Sequence, residues 1–243
     1  MTRFFVDVQM MQPNFITLTG DNAAHANVLR LKNGEQVLVC DGEGNECVCT
    51  VSDMSREQVC LVVHTRQPSK SEACVDVGVY VAFPKSDKLE HVIQKATELG
   101  ASRIVAYPSA RCVSKPDEKS LKKKLERWQK IAASAAEQSG RGCIPQVMVL
   151  NSFDLAVKHA LEADKAILFY ENEEATTLAM SLKSGDYKSI SLMSGPEGGY
   201  DTKEVSKAKD MGMDICTLGN RILRCETAPL CALSAVMYHY GEF

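Results

Sequence analysis

Apolar and polar positions follow two different patterns along the chain, and the change falls near residue 70. Before it, short runs of alternating apolar and polar residues are separated by turn-forming sequences such as Asn33-Gly34. Such alternation is typical of strands with one buried face, and a helical turn near His25 interrupts it. Closely spaced strands of this kind indicate a small barrel. The predicted strands cover residues 3–6, 15–18, 36–40, 46–51 and 58–63.

A polar, proline-containing segment at residues 67–72 predicts a linker. After it, apolar runs alternate with longer segments of helical period, which is typical of a parallel sheet covered on both faces. The sequence therefore predicts a β domain over residues 1–70 and an α/β domain over residues 73–243. In the second, strands are predicted at 77–83, 103–107, 165–170, 189–194 and 214–218, and helices at 87–100, 118–139, 173–183, 201–211 and 227–240.

Capping residues mark three of the predicted helix starts. Asp87 with Glu90, and Asp201 with Glu204, have the spacing of a capping box, in which the first acid accepts a hydrogen bond from a helix amide. Thr227 is the predicted N-cap of the last helix. These positions fix where loops end and helices begin in the α/β part.

Charge is unevenly distributed. The net charge of −3 does not indicate a general nucleic-acid-binding protein. Residues 1–72 hold six Lys/Arg and nine Asp/Glu, whereas residues 73–243 hold 22 of each. Within the second part, residues 111–130 carry eight basic and three acidic side chains. An anionic partner is therefore expected to meet a local patch rather than the whole surface.

Membrane and metal binding receive little support. No apolar run is long enough to cross a bilayer, and Asp7 comes too early for a secretory signal, so we expect a cytoplasmic protein without a membrane partner. Ten cysteines are scattered without a C-x-x-C pair, so no metal site is predicted. Cys47 and Cys49 could form a redox pair, but alternate positions on one strand face are the simpler interpretation.

The loop at residues 194–199 is the first candidate site. It reads Ser-Gly-Pro-Glu-Gly-Gly and follows a predicted strand, and ligands of open parallel sheets bind beyond the carboxyl ends of strands. Glycine lets the backbone approach a ligand closely. Glu197 is free to accept hydrogen bonds from a sugar or an amine. The alternative is an ordinary strand-to-helix turn.

The loop at residues 218–229 is the second candidate site. Here Ile222 and Leu223 stand between Arg221 and Arg224, as if an apolar wall faced a flat ring. The alternative is that Arg224 pairs with a neighbouring acid for structural reasons. Loop residues on a rigid scaffold commonly carry function. The motifs of a dinucleotide-binding loop, a P-loop and a hydrolase nucleophile elbow are absent from the sequence.

Together the two loops resemble the RsmE family of the SPOUT superfamily, which methylates N3 of a uridine in 16S ribosomal RNA. The similarity lies in Gly-Pro-Glu-Gly-Gly at 195–199 and in Leu-Gly-x-Arg-Ile-Leu-Arg-x-Glu-Thr-Ala at 218–228. Further matches occur in the same order along almost the whole chain, at residues 1–5, 25–34, 41–44, 85–90, 94–100, 126–128 and 135–141. Cys225 stands where Thr is expected and Ser194 where Ile is common.

The resemblance implies an architecture and a set of partners. It implies a small PUA-like β-barrel that binds RNA over residues 1–70, and a SPOUT domain with a parallel sheet and a trefoil knot over residues 73–243. It implies S-adenosylmethionine as the cofactor, 16S ribosomal RNA or the assembled small subunit as the substrate, and a homodimer. The alternative is an RNA-binding or ribosome-assembly module without turnover. A metabolic enzyme using another nucleotide is disfavoured by the missing phosphate loops.

The resemblance also implies roles for individual residues. Arg224 is expected to stabilise the uracil anion, and Glu197 is a candidate base that could instead serve the cofactor. Arg3, Arg30, Arg111 and Lys115 are expected to bind RNA together with the 119–130 patch, for which a solvated helix face is the alternative. The expected cofactor-binding residues are Gly195, Glu197, Gly198, Leu218, Gly219, Ile222, Leu223 and Thr227.

Overall fold

The computed structural model describes residues 1–113 and 118–243, and the chain forms two compact units. The first unit consists of residues 1–72 and 136–144. The second consists of residues 73–135 and 145–243. The first unit therefore includes a short segment from the second half of the chain, which the sequence did not indicate.

The first unit is a curled five-stranded sheet with one α-helix, which lies between the second and third strands, and a short 3-10 helix at Val8–Met10. Alternate residues of its strands are buried, as the hydrophobic pattern predicts: Ile16 and Leu18 on one strand, and Val37 and Val39 on another. The strand order is β1-β3-β4-β5-β2, with β1 parallel to β3 and the other pairs antiparallel. Its elements are β1 (Thr2–Phe5), β2 (Phe15–Thr19), α1 (Gly20–Val28), β3 (Gln36–Cys40), β4 (Asn45–Met54) and β5 (Gln58–Pro68).

Two features of this unit differ from the prediction. The helix α1 begins at Gly20 and is longer than the turn predicted around His25. The strand β5 continues to Pro68, so part of the predicted linker is paired with β4. Cys47 and Cys49 are both buried in β4 with free thiols, which agrees with the strand interpretation.

Glu72 ties the end of the first segment to residues 141–143. Its carboxylate accepts hydrogen bonds from the Arg141 guanidinium at 2.6 Å and from the backbone N–H groups of Gly142 and Cys143 at 2.7 and 3.0 Å. Partial burial acts to raise the pKa of Glu72, but these donors outweigh it and hold the pKa below its ordinary value. The ionised carboxylate is therefore part of the folded unit.

The substitution Glu72→Gln is expected to lower the free energy of unfolding by about 2 kcal/mol, because charge-assisted hydrogen bonds are lost. Urea unfolding at neutral pH measures this difference, with the exposed Glu57→Gln as the control. Since the folded-state pKa of Glu72 is depressed, its contribution is present above the unfolded value of about 4.3 and disappears as the pH falls through the folded value. Equal stability of both variants at neutral pH would contradict the assignment.

The second unit is a six-stranded parallel sheet with the order β11-β9-β10-β6-β7-β8. Its strands are β6 (Asp76–Ala82), β7 (Arg103–Tyr107), β8 (Gln146–Val149), β9 (Lys165–Phe169), β10 (Ser189–Ser194) and β11 (Asp214–Cys216). Its helices are α2 (Lys88–Glu98), α3 (Glu118–Ser139, whose last residues belong to the first unit), α4 (Phe153–Ala160), α5 (Leu178–Leu182), α6 (Thr202–Asp210) and α7 (Thr227–His239).

Both faces of this sheet are buried, which explains the near-continuous apolar strands. Tyr80 and Ala82 of β6 belong to the core cluster that includes residues of α4 and α6. Because strand side chains alternate between faces, Val79 and Val81 point to the other side, and they are equally buried. The helix α7 contacts β6 and β10. The predicted mixed fold, a β-rich first part and a parallel α/β second part, is confirmed.

Some element boundaries were predicted wrongly. The strand β8 and the helix α4 were not predicted, and α5 begins at Leu178 rather than at 173. The capping box at Asp201 is present, whereas Asp87 makes no side-chain cap hydrogen bond. Glu90, the second residue of the capping box predicted at Asp87, pairs with the guanidinium of Arg127 at 2.7 Å. Thr227 is the first residue of α7 and its neighbour Glu226 is the N-cap.

Within residues 1–113 and 118–243, no helix is long and apolar enough to span a membrane.

Candidate functional site

A cavity of about 530 Å³ lies in the second unit, at the carboxyl ends of three neighbouring strands. Because β11, β9 and β10 are adjacent and parallel, the loops that follow them meet at one edge of the sheet. The volume is that of a small-molecule site. The lining residues are Lys88, Phe169, Tyr170, Glu171, Ser194, Gly195, Pro196, Glu197, Gly198, Gly199, Thr217, Leu218, Gly219, Arg221, Ile222, Leu223, Arg224, Cys225 and Ala228.

The loop from Gly195 to Gly199 forms a narrow cradle on one side of this cavity. The amide of Gly199 donates to the carbonyl of Pro196 at 2.9 Å, and Gly199 has φ +66°, a conformation that favours glycine. A Cβ at Gly195 would lie 3.2 Å from the Tyr200 ring, and a Cβ at Gly198 would lie 3.2 Å from Cβ of Arg111. The glycines therefore let the backbone itself form the wall of the cavity.

Two buried tyrosines support this loop where it leaves β10. The hydroxyl of Tyr107 donates to the carbonyl of Ser194 at 3.0 Å and is also hydrogen-bonded to the hydroxyl of Tyr200. Both rings are fully buried, and burial raises the pKa of both hydroxyls well above the ordinary value. The pair therefore remains neutral and fixes the end of β10 where the loop begins.

Glu197 is held on the cavity side by two donors. Its carboxylate accepts hydrogen bonds from the Lys85 amide at 3.0 Å and from the Lys88 ammonium at 3.1 Å. Partial burial acts to raise the pKa of Glu197, but these contacts outweigh it and lower the pKa below its ordinary value. Glu197 is thus ionised and already engaged with groups of the protein.

The loop after β11 presents two cationic side chains. Arg221 and Arg224 are both exposed and line the cavity, and no hydrogen bond or ion pair engages either guanidinium in the described part of the chain. Between them, Ile222 is 80% exposed and Leu223 is half-buried. The carbonyl of Arg224 accepts from the amides of Thr227 and Ala228 at 2.8 and 2.9 Å, which joins the loop to α7.

The structure brings most of the predicted site residues together. Seven of the eight predicted cofactor-binding residues line the cavity, as does Arg224. Thr227, the first residue of α7, does not line it, although the next residue of that helix, Ala228, does. Glycines and arginines next to predicted strand ends indicate both loops, and both loops line the same cavity.

The predicted RNA-binding residues have different surroundings. Arg3 is nearly buried and pairs with Glu46 at 2.9 Å, which argues against a contact between its guanidinium and RNA. Arg30 is exposed, with φ +55°. Arg111 donates to the carbonyl of Gly198 at 3.2 Å and lies 3.5 Å from the carboxylate of Asp201, so it supports the glycine loop. Lys115 lies outside the described residues.

Two parts of the site were missed. Phe169 ends β9 and residues 170–171 follow it, and the strand-end rule that indicates the other two loops applies to this one as well. An added Cβ at Gly199 would overlap the Glu171 carboxylate, so this acid approaches the glycine loop closely. Lys88 lies at the start of α2, more than 100 residues from both loops. Residues 85–90 are among the segments that resemble the family, but nothing in that segment assigns Lys88 to the cavity.

The arrangement suits a neutral or zwitterionic ligand with a flat ring and hydroxyl groups. The glycine loop offers backbone donors and acceptors, and Glu171 offers a carboxylate for hydroxyls. The unpaired arginines favour negative charge developing on a second reactant beside it. A donor set of this kind fits a nucleoside-containing cofactor next to an anionic substrate.

Comparisons with known proteins identify the family. A family model described as an RNA methyltransferase domain matches residues 70–237, and one described as an RNA methyltransferase PUA domain matches residues 18–63. A relative from Bacillus subtilis (strain 168) named ribosomal RNA small subunit methyltransferase E is 39% identical, with 98% of this chain and 96% of the relative covered. A relative of the same name from Mycobacterium bovis is 35% identical, with coverages of 96% and 90%.

Solved structures agree with the sequence comparisons. The ribosomal RNA small subunit methyltransferase E of Neisseria gonorrhoeae, bound to S-adenosylmethionine, has a TM-score of 0.87 at 27% identity, over 100% of this chain and 99% of that one. A methyltransferase of Legionella pneumophila with bound S-adenosylmethionine has a TM-score of 0.84 at 26% identity, over 98% and 97%. The chain therefore belongs to the ribosomal RNA small subunit methyltransferase E family.

Proposed function

We propose that the protein transfers a methyl group from S-adenosylmethionine to N3 of a uridine in 16S ribosomal RNA of the small subunit. Family membership supports an RNA methyltransferase, and relatives with the same fold bind this cofactor. The observation that carries the proposal is that Arg221 and Arg224 line the cavity beside the glycine loop and that neither guanidinium has a partner among residues 1–113 and 118–243. Such a pair suits a reaction in which a neutral base becomes an anion.

The cofactor would be held largely by backbone groups. Gly195, Gly198 and Gly219 line the cavity with main chain, and Ile222 and Leu223 would give apolar contact to a flat ring. When bound, S-adenosylmethionine supplies an electrophilic methyl group on a positively charged sulfur.

Arg224 would stabilise the reacting base. The N3–H of uracil lies between two carbonyl groups, and loss of that proton to solvent water spreads negative charge over N3 and both oxygens. A fixed guanidinium donates charge-assisted hydrogen bonds to such oxygens. The base must also leave its stack to reach the cavity. Arg224 thus both favours the anion and orients its nitrogen.

Glu197 would order the loop rather than accept the N3 proton. Its carboxylate is already bound by the Lys85 amide and the Lys88 ammonium, and its lowered pKa makes it a weak base. A productive general base has a pKa near the working pH. The catalytic role predicted for this residue is therefore replaced by a structural one in this proposal.

RNA would be guided by the basic face of α3 and by the first unit. Lys119, Lys122, Lys123, Lys124 and Lys130 are all exposed on this helix. The exposed Arg30 is the remaining candidate in the first unit, whose sequence matches an RNA methyltransferase PUA domain. A few placed cations of this kind position RNA without reading its sequence.

Reversing the charge of Lys119 and Lys123, which share one helix face, is expected to weaken RNA binding and to reduce its salt dependence. Each lost phosphate contact lowers the slope of log affinity against log salt by about 0.7–0.9. RNA titrations over a range of salt concentrations measure the slope. The control is Lys158→Glu with Lys209→Glu, two exposed lysines elsewhere. Equal slopes for the two double variants would remove the α3 face from the RNA-binding surface.

The proposed activity is tested by transfer of a labelled methyl group to RNA, followed by mapping of the modified nucleotide. Naked 16S ribosomal RNA and assembled small subunits serve as separate substrates. Methylation at N3 of a single uridine is expected. RNA binding without transfer on either substrate would favour the alternative, a ribosome-assembly module of the same fold.

We also propose that the protein is a cytoplasmic homodimer. The resemblance to the family supports the pairing, and Tyr238 on α7 and Ile222 near the cavity are exposed apolar residues that a partner could cover. Light scattering coupled to size-exclusion chromatography measures the mass. A monomer at micromolar concentration would contradict the dimer.

A further inference from the structure

Lys88 connects the two loops of the cavity. Its ammonium lies 3.1 Å from Oε1 of Glu197, in the loop of residues 195–199 (the glycine loop). It also lies 3.1 Å from Oε2 of Glu226, at the end of the loop of residues 218–226 that carries Arg221 and Arg224 (the arginine loop). The Sγ atom of Cys225 lies 3.7 Å from the same nitrogen. The three segments come from distant parts of the chain, and no backbone–backbone hydrogen bond joins them in the described residues, so the Lys88 side chain links both loops to the start of α2.

The charges explain why this junction matters. Two carboxylates that share one ammonium are close enough to repel each other strongly if that ammonium is removed. The hydrogen bond to Glu197, followed by the one to Glu226, raises the pKa of Lys88, so the ammonium stays charged at working pH. Both carboxylates have lowered pKa values and stay ionised.

The backbone before Lys88 is shaped for the same contact. Ser86 has φ +57°, which is rare for a residue other than glycine. This turn places the amide of Lys85 on the same carboxylate oxygen that Lys88 contacts. Unfavourable backbone conformations persist where surrounding contacts require them, and they concentrate at functional sites.

We propose that Lys88 is a positioning residue, which holds the glycine loop and the arginine loop at the separation that the cofactor and the target base require. It acts through Glu197 and Glu226 and not through a direct contact with either reactant. The inference rests on the proposed function, since it concerns the same cavity, and it adds a residue and a mechanism to it.

The test compares four proteins: the wild type, Lys88→Met, Glu226→Gln and the double variant. Calorimetric titration gives the affinity for S-adenosylmethionine, and methyl transfer to RNA gives kcat and KM. Lys88→Met is expected to lower cofactor affinity about 10- to 100-fold, because two unneutralised carboxylates push the loops apart. The double variant is expected to regain about tenfold of that loss, because one of the two charges is gone.

The matched control is Lys88→Arg, which keeps the charge and is expected to retain most of the affinity. Circular dichroism and thermal unfolding check the fold, and Lys88→Gln replaces Lys88→Met if the latter does not fold. An equal loss in Lys88→Met and in the double variant would overturn the inference, since a direct contact with the cofactor predicts no relief. Wild-type affinity in Lys88→Met would overturn it as well.

Failure of the proposed function is distinguishable from failure of this inference. If the wild type binds S-adenosylmethionine and methylates RNA, the variants test Lys88 alone. If the wild type neither binds the cofactor nor transfers the methyl group, the cavity serves another ligand, and both the proposed function and the role of Lys88 are rejected together.

Discussion

Replacing Arg224 with alanine is expected to lower kcat for methyl transfer about 10²–10³-fold, the usual effect of removing one group that stabilises developing negative charge. The affinity for S-adenosylmethionine is expected to stay near that of the wild type, because the cofactor would be held by the glycine loop and by the apolar residues of the arginine loop. The guanidinium is exposed and has no partner in the described residues, so its loss leaves the fold intact.

Single-turnover kinetics with saturating RNA and cofactor measure this effect separately from binding. Arg224→Lys is the informative companion, since it keeps the charge but loses the planar pair of donors. We expect it to be intermediate. A variant Arg224→Ala that turns over like the wild type would move the role to Arg221, the other unengaged guanidinium, which Arg221→Ala then tests in the same assay.

Replacing Gly195 with tryptophan is expected to abolish binding of S-adenosylmethionine in a calorimetric titration. An added Cβ at this position would already lie 3.2 Å from the Tyr200 ring and 3.4 Å from the Gly199 carbonyl carbon. Tyr200 is fully buried and hydrogen-bonded to Tyr107, so its ring cannot move aside easily. The indole would therefore displace the loop or fill the cavity, and either outcome excludes the ligand.

The control for this substitution is Gly34→Trp. Gly34 lies in a turn of the first unit, where an added Cβ meets no atom of the described residues within 4 Å, and its φ of +89° makes the change strained but local. It adds the same side chain without touching the cavity, so cofactor affinity is expected to persist. Binding by Gly195→Trp equal to that of the wild type would show that the cofactor lies elsewhere.

Much of the fold could be predicted because burial dictates the sequence pattern. Strands with one buried face alternate, and strands buried on both faces are apolar throughout, so β3 and β10 were recognisable. The strand β8 was missed because four residues carry too little periodicity. A trefoil knot was expected only from the resemblance, because hydrophobic spacing specifies elements and not the path of the chain between them.

The site could be predicted only as far as its residues are local. Glycine and arginine residues next to strand ends predict the two loops. Lys88 could not be assigned, because its partners Glu197 and Glu226 are brought to it by the sheet order alone. Arg3 shows the converse: the resemblance made it a candidate RNA contact, but the fold buries its guanidinium against Glu46.

The first unit is built from two segments of the chain that are far apart in sequence, and this determines when it can finish folding during synthesis. Residues 136–144 complete this unit. Arg141 binds the carboxylate of Glu72, and the backbone of Cys143 forms an isolated β-bridge with that of Gly42. The ribosome synthesises residues 73–144 at roughly 5–20 per second, so the strands of residues 1–72 wait about 4–14 s for the segment that completes their unit. The part of the chain that is made first is therefore finished late, and a fragment ending at residue 72 lacks the contacts that close it.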